Sequence, residues 1–194
     1  MTTTALSDAR GARVLADLVP GGLVRDVLLV AGAAALTGIA AQVSIPWWPV
    51  PVTLQTLTVL LAGAALGPVR GTASMLLYLA VGAAGVPWFA QGNHGVGFVT
   101  FGYVVGFVLA AALVGWLAQR GASRTVLGTI GAMVLGNLVI YACGVPYLAM
   151  AAYGGDLGAV VMAGAVPFLA GDGLKILLAA GLLPAAWRLA GGRR

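Results

Sequence analysis

Long apolar runs alternate with short polar stretches along almost the whole chain. Six runs approach the length of a membrane-spanning helix, the last beginning at Leu157 or a few residues later: 27–45, 52–67, 71–86, 97–117, 126–150 and 157–189. A bilayer core about 30 Å thick needs roughly 20 apolar helical residues, so the second and third runs are short. The pattern predicts an all-α membrane protein with six transmembrane helices.

The stretches between the runs hold most of the polar residues, together with proline and glycine. They read "IPWWPVP", "LGPVRG", "GVPWFAQGNHG", "AQRGASR" and "AYGGDLG". Proline and glycine interrupt helices at little cost at such places. Each stretch is therefore expected to be a connection that ends one helix before the next begins.

The arginines occur only in alternate connections and at the two ends of the chain. They are Arg10, Arg13, Arg25, Arg70, Arg120, Arg124, Arg188, Arg193 and Arg194. With six spans every one of them falls on the same side, which the positive-inside rule makes the cytoplasm. The sequence thus predicts cytoplasmic N- and C-termini, a cytoplasmic segment over 1–26 and a single six-helix transmembrane domain over 27–190.

The composition agrees with a membrane protein. Of 194 residues, 61% are hydrophobic and 8% are charged, and the mean hydropathy is +1.03, whereas a soluble domain carries about 25% charged residues. The net charge of +5 comes from arginines scattered in ones and twos, so a nucleic-acid-binding surface is not predicted. One cysteine, Cys143, allows neither an internal disulfide nor a cysteine metal site.

An aspartate and the only lysine lie inside the last apolar run. Asp172 and Lys175 are three residues apart, so they share one face of a helix. Each alone costs several kcal/mol near the bilayer centre, and such residues normally face the bundle interior or a wet cavity. The pair is interpreted either as a structural ion pair or as the binding site of a small polar ligand with N–H and carbonyl or carboxylate groups.

Other polar and aromatic residues cluster at the predicted outer side. The polar ones are Thr53, Gln55, Thr56, Gln91, Asn93, His94 and Tyr103. Asn137 and Tyr141 share a face of the fifth span, where a hydrogen bond between helices is expected. The aromatic residues of the outer connections, Trp47, Trp48, Trp88, Phe89 and Tyr153, either anchor the interface or wall a pocket.

The sequence predicts no enzyme and no metal site. None of the four serines lies in a nucleophile-elbow pattern, and the single histidine has no evident ligand partners. No G-x-x-x-x-G-K-[ST] motif for nucleotide phosphates occurs. If the protein drives uptake, the energy has to come from a partner or an ion gradient.

Three segments together resemble a known family. The run "IPWWPVPVTLQTLTVLLAGAALGPVRGTASMLLYLAVGAAGVPWF", the segment "GNLVIYACGVPYL" and the segment "AGDGLKILLAAGLLPAAWRL" are similar to BioY, the biotin-binding S component of energy-coupling-factor (ECF) transporters. The resemblance covers roughly residues 25 to 190. It implies a six-helix bundle in the bacterial cytoplasmic membrane that takes up biotin with a transmembrane coupling protein and two ABC-type ATPases.

The resemblance also implies binding residues. Asp172 and Lys175 match the pair of the family's last helix and are expected to lie against the ureido ring of biotin or its surroundings, with Lys175 donating to the ureido carbonyl or to the valerate carboxylate. The other implied binding residues are Gln55, Tyr103 and Asn93, with Trp88 and Phe89 as an apolar wall. Biotin is the transported ligand, and no cofactor is implied.

Two other functions remain open at this point. S components for other vitamins share the six-helix plan, although "PVPVTLQT" argues for biotin. A membrane scaffold without transport activity would use Asp172 and Lys175 only to join helices. A scaffold would tolerate replacement of both residues by apolar ones, whereas a binding protein would lose its ligand.

Overall fold

The computed structural model describes residues 13–191, and most of them are helical. Its α-helices are α1 (Leu23–Gln42), α2 (Gln55–Ala83), α3 (Phe101–Gln119), α4 (Val126–Ala152), α5 (Leu157–Gly164) and α6 (Leu169–Gly191). Its strands are β1 (Ser44–Ile45) and β2 (Val52–Thr53), and its 3-10 turns are Leu15–Leu18, Ala90–Gly92, Ala122–Arg124 and Val166–Phe168. The all-α prediction therefore holds apart from one short antiparallel pair, in which Ser44 lies opposite Thr53.

Within residues 13–191, five helical segments are long and apolar enough to cross a membrane. They are Leu23–Gln42, Gln55–Ala83, Phe101–Gln119, Val126–Ala152 and Leu157–Ala190. The last segment joins α5 to α6 through the turn Val166–Phe168. The second segment is α2, and it contains both the second and the third predicted runs. This helix therefore accounts for the difference between the five segments and the six predicted spans.

Helix α2 reverses direction at Gly67. This residue has φ 85° and ψ 176°, which lie outside the helical region, and Pro68 follows it. Glycine adopts positive φ without strain, and proline is favoured at a helix start. The two arms then lie side by side, because a Cβ added to Gly71 would come within 2.9 Å of the Gly63 Cα. The turn is so tight that no separate loop joins the two helical arms.

Small residues allow the helices of the bundle to pack closely. Helix α2 packs along α1 and α3, α3 packs along α4, and α4 packs against α6. A Cβ on Gly63 would come within 2.7 Å of the Ala111 carbonyl oxygen, and one on Gly106 within 3.0 Å of the Ile140 Cα. Close backbone approach of this kind is typical of helix contacts in membranes.

One end of the bundle carries the arginines that lie between helices. We call it the arginine end; it contains Arg70, Arg120 and Arg124. The turn at Gly67 lies beside Gln119 at the C-terminus of α3. The indole of Trp187 on α6 donates to Ser123 Oγ at 3.1 Å and lies 4.4 Å from the Arg124 guanidinium. The basic residues of these connections therefore share one end, as predicted.

The N-terminal segment packs against the arginine end. Val14 is buried against Gly67, and Arg70 forms 2.9 Å ion pairs with both Asp17 and Asp26. Helix α1 begins at Leu23, earlier than the predicted boundary at residue 27. Residues 1–12 and 192–194, which include Arg10, Arg193, Arg194 and the first part of the predicted tail, lie outside the described residues.

Candidate functional site

A cavity lies between α2, α3, α4 and α6 at the end opposite the arginines. The space between its side chains, its open mouth included, has a volume of about 580 Å³. The lining residues are Val50, Pro51, Thr53, Gln55, Thr56, Phe89, Ala90, Phe98, Thr100, Tyr103, Val104, Phe107, Ile140, Tyr141, Phe168, Asp172 and Lys175. Eight of these residues have polar side chains, and four of the eight meet in one group around Asp172.

Four polar side chains from three helices form one hydrogen-bonded group, which we call the Asp172 cluster: Asp172, Lys175, Thr56 and Tyr141. The Lys175 ammonium donates to Asp172 Oδ1 at 3.0 Å and to Thr56 Oγ1 at 2.8 Å. Thr56 Oγ1 donates to Asp172 Oδ1 at 3.3 Å, and the Tyr141 hydroxyl donates to Asp172 Oδ2. Both carboxylate oxygens thus have partners within the protein.

Asp172 is the buried centre of the cluster, and its three partners are partly buried. Asp172 is 4% exposed, and the Lys175 side chain is 12% exposed. Burying charges is costly unless they are paired and hydrogen-bonded. The positions of Asp172 and Lys175 one turn apart on α6 bring the pair together, while Thr56 at the start of α2 and Tyr141 on α4 supply the remaining bonds. The group offers carboxylate acceptors beside an ammonium donor in a dry setting.

Aromatic rings form much of the apolar wall of the cavity. Phe89 is fully buried, and its ring centroid lies 5.3 Å from that of Phe98 and 5.2 Å from that of Tyr78. A Cβ on Gly82 would come within 2.1 Å of the Phe89 ring, so the glycine makes room for it. This wall suits a flat or aliphatic ligand body, with its polar atoms directed at the Asp172 cluster.

Gln55 and Tyr103 line the cavity as predicted, but their polar atoms have partners within the protein. The Gln55 amide donates to the Tyr78 hydroxyl at 2.7 Å and accepts from Thr53 Oγ1 at 3.1 Å. The Tyr103 hydroxyl donates to the Gly164 carbonyl oxygen at 2.9 Å, at the point where α5 ends. Their side chains shape the cavity, and their predicted contact with a ligand stays a prediction.

Of the two aromatic residues predicted as a wall, the cavity lining includes Phe89 but not Trp88. The Trp88 indole donates to the Tyr78 carbonyl oxygen at 3.0 Å and packs on the Tyr78 ring. Asn93 also lies outside the lining, and its amide donates to the Ala90 carbonyl oxygen at 2.8 Å. Neither Trp88 nor Asn93 lines the cavity, so their direct contacts with a ligand remain predictions.

Comparison with known proteins identifies the family. The profile of the BioY family matches residues 5–192, nearly the whole chain. The chain belongs to the BioY family. It is 36% identical to the biotin transporter BioY of Rhizobium etli over 169 residues, which is 80% of this chain and 89% of that protein.

Two further proteins resemble this BioY family member. The chain is 43% identical to the probable biotin transporter BioY of Lysinibacillus sphaericus over 129 residues, which is 65% of each chain. A crystal structure of the S-component for biotin from an ECF-type ABC transporter matches with a TM-score of 0.74 at 24% identity, over 86% of this chain and 90% of the other. The structural match establishes an S-component fold.

Sequence reasoning on this BioY family member did not assign Thr56 and Tyr141 to the site. Tyr141 does bond between helices, as expected, but its acceptor is Asp172. Helical spacing identifies the face that a residue occupies but not the partner opposite it. Within residues 13–191 no three His, Cys, Asp or Glu residues are grouped so as to hold a metal ion.

Proposed function

We propose that this protein binds biotin in the cavity and is the biotin-binding subunit of an uptake transporter in a bacterial cytoplasmic membrane. The observation that carries the proposal is the Asp172 cluster below an aromatic wall, in a chain that belongs to the BioY family. The relatives named biotin transporters support the choice of ligand. No nucleotide motif occurs in the sequence, so the chain is proposed as a binding subunit and not as an enzyme.

The chemistry of biotin matches the cavity in two parts. Its ureido ring carries two N–H donors beside a carbonyl acceptor, as Asp172 presents carboxylate acceptors beside the Lys175 ammonium at 3.0 Å. We assign the ureido N–H groups to Asp172 and the ureido carbonyl to Lys175. The sulfur-containing ring and the aliphatic chain then lie against Phe89 and the neighbouring rings, where burial of apolar surface adds affinity.

The binding test compares the wild type with Asp172→Asn and Lys175→Met in detergent by equilibrium biotin titration. Loss of one partner leaves the other charge buried and unpaired, so affinity is expected to fall by at least about 100-fold. Asp156→Asn is the matched control, because Asp156 is exposed and caps α5. Desthiobiotin should compete and riboflavin should not. A folded wild type that does not bind biotin would refute the proposal.

We also propose that the chain crosses the membrane six times with both ends in the cytoplasm. The support is the reversal of α2 at Gly67, which gives two antiparallel arms, and the position of Arg70, Arg120 and Arg124 at one end of the bundle. The two arms then correspond to the second and third predicted spans. The mouth of the cavity opens to the outside in this orientation.

The topology can be tested with single cysteines in a Cys143→Ser background. Trp48→Cys and His94→Cys replace exposed residues on either side of α2. If α2 crosses twice, both cysteines react with an impermeant thiol reagent added to intact cells, while Arg120→Cys reacts only after permeabilisation. If α2 crosses once, Trp48→Cys and His94→Cys lie on opposite sides, and only one of them is labelled from outside.

A transmembrane coupling protein and ABC-type ATPases are the proposed partners. The support is the fold shared with an S-component from an ECF-type ABC transporter and the missing nucleotide motif. Purification of the tagged chain from native membranes should recover both partner types, and biotin uptake should stop when the ATPase is inactivated. Undiminished uptake by cells that contain this chain alone would overturn the assignment.

A further inference from the structure

A second, smaller space lies directly beneath the Asp172 cluster, between α2, α4 and α6. The gaps between its side chains sum to about 170 Å³, but they are too narrow to hold a water molecule. Thr56, Asn137 and Lys175 supply its polar lining, and the remaining lining side chains are aliphatic or thioether groups. Asn137 does not line the larger cavity, so the proposed ligand does not account for this residue.

The Asn137 side chain has an unsatisfied acceptor. The residue is 7% exposed, and Oδ1 is the one buried side-chain polar atom without a hydrogen-bond partner among residues 13–191. A buried acceptor without a donor is costly in any protein and more so at membrane depth, where water is scarce. A donor that can reach Oδ1 from within the same space would remove this cost.

The Lys175 ammonium is the donor available there. It has three N–H groups, and two of them bond to Thr56 and Asp172 at 2.8 and 3.0 Å. We propose that Asn137 is a positioning residue whose Oδ1 accepts the third N–H of Lys175 after a small movement of the ammonium toward it. The ammonium is then held by acceptors from three helices: Thr56 on α2, Asn137 on α4 and Asp172 on α6.

This arrangement has a consequence for the ligand, which rests on the proposed biotin binding. When ureido N–H groups engage Asp172, the Lys175 N–H that pointed to Asp172 becomes free for the ureido carbonyl. Thr56 and Asn137 retain the other two N–H groups. Lys175 can therefore exchange one acceptor for the ligand without leaving its position.

The bond itself is tested by thermal unfolding of the unliganded protein in detergent. Asn137→Leu removes the acceptor and is expected to lower Tm, because it deprives the ammonium of a partner. In a Lys175→Met background Oδ1 has no donor, so Asn137→Leu is expected to raise Tm there. If Asn137→Leu changed Tm by the same amount and in the same direction in both backgrounds, the proposal would be overturned. If Lys175→Met does not fold, the Asp172→Asn/Lys175→Met background replaces it.

The effect on the ligand is tested by biotin titration of Asn137→Leu beside Met133→Leu. Met133 lines the same space and is also buried, but it offers no strong acceptor. Affinity should fall about tenfold in Asn137→Leu and change less than about twofold in Met133→Leu. Equal affinities in the two variants would remove Asn137 from ligand binding. If the wild type binds no biotin, the proposed function fails. The unfolding comparison still shows whether Lys175 and Asn137 form a hydrogen bond.

Discussion

Tyr141 and Tyr103 show that two tyrosines in one cavity can have different roles. The Tyr141 hydroxyl donates to Asp172, so it fixes the orientation of a carboxylate that lines the cavity. The Tyr103 hydroxyl donates to the Gly164 carbonyl oxygen, away from the Asp172 cluster. At this position the ring contacts the cavity while the polar atom ties α3 to the end of α5.

Tyr141→Phe is therefore expected to weaken biotin binding. The substitution keeps the ring and removes the O–H donor, so Asp172 Oδ2 loses its partner and the carboxylate can rotate. A hydrogen bond to a charged group is worth about 1.5–3 kcal/mol, and we expect affinity to fall about tenfold. Isothermal titration calorimetry with biotin measures the change.

Tyr103→Phe is the matched control for that prediction. Its hydroxyl serves the helix end, so we expect Tm to fall while biotin affinity changes less than about threefold. A large loss of affinity in Tyr103→Phe with no loss in Tyr141→Phe would reverse the two assignments.

At the scale of elements, the hairpin α2 depends on glycine where its arms meet and where it touches α3. A Cβ on Gly63 would come within 2.7 Å of the Ala111 carbonyl oxygen, and a Cβ on Gly71 would come within 2.9 Å of the Gly63 Cα. Backbone atoms cannot move aside as a flexible side chain can. Gly63 thus sets the spacing between the two arms of α2 and between α2 and α3. Helix α2 in turn positions Gln55 and Thr56 at the cavity.

Gly63→Val is expected to destabilise the protein strongly, because overpacking of a tight interior costs about 1–3 kcal/mol or more. Thermal unfolding in detergent, followed by tryptophan fluorescence, measures the loss. Gly131→Val is the matched control, since Gly131 is exposed on α4 and has no atom within 4 Å of an added Cβ. Equal stability of the two variants would contradict the proposed role of Gly63.

The hydropathy pattern predicts the helical elements well, since burial in lipid demands long apolar helices. Asp172 and Lys175 are found from sequence because charges are rare in such helices. Trp88 and Phe89 show the limit of this reasoning. They are neighbours in the connection after α2, and both rings contact Tyr78, but only Phe89 lines the cavity. Sequence alone does not fix which of the two points inward.

At the scale of the whole molecule, Arg70 joins three parts of the chain. It pairs with Asp17 of the N-terminal turn and with Asp26 of α1 from its own position in α2. Burial raises the pKa of Asp17, but hydrogen bonds from Arg70 and from the Val14 and Arg13 N–H groups outweigh it and hold that pKa below its usual value of 3.8. The N-terminal segment is thereby fastened to the bundle.

The stabilisation by Asp17 should depend on pH. Because its pKa is lower in the folded protein than in the unfolded chain, the contribution is full above the unfolded value and disappears as the pH falls through the folded value. Asp17→Asn should therefore lower Tm slightly at neutral pH, and the two proteins should converge below about pH 4. A difference in Tm that persists unchanged into acid would contradict this account.

The pairing of Asp172 with Lys175 also has an electrical consequence. The opposite charges cancel, so the transmembrane voltage exerts no net force on the empty site. Biotin brings a carboxylate, and moving that negative charge toward a negative cell interior costs about 2.3 kcal/mol per 100 mV. For the proposed transport of biotin, voltage thus favours inward movement of neither the empty nor the loaded site, so accumulation would need another source of energy.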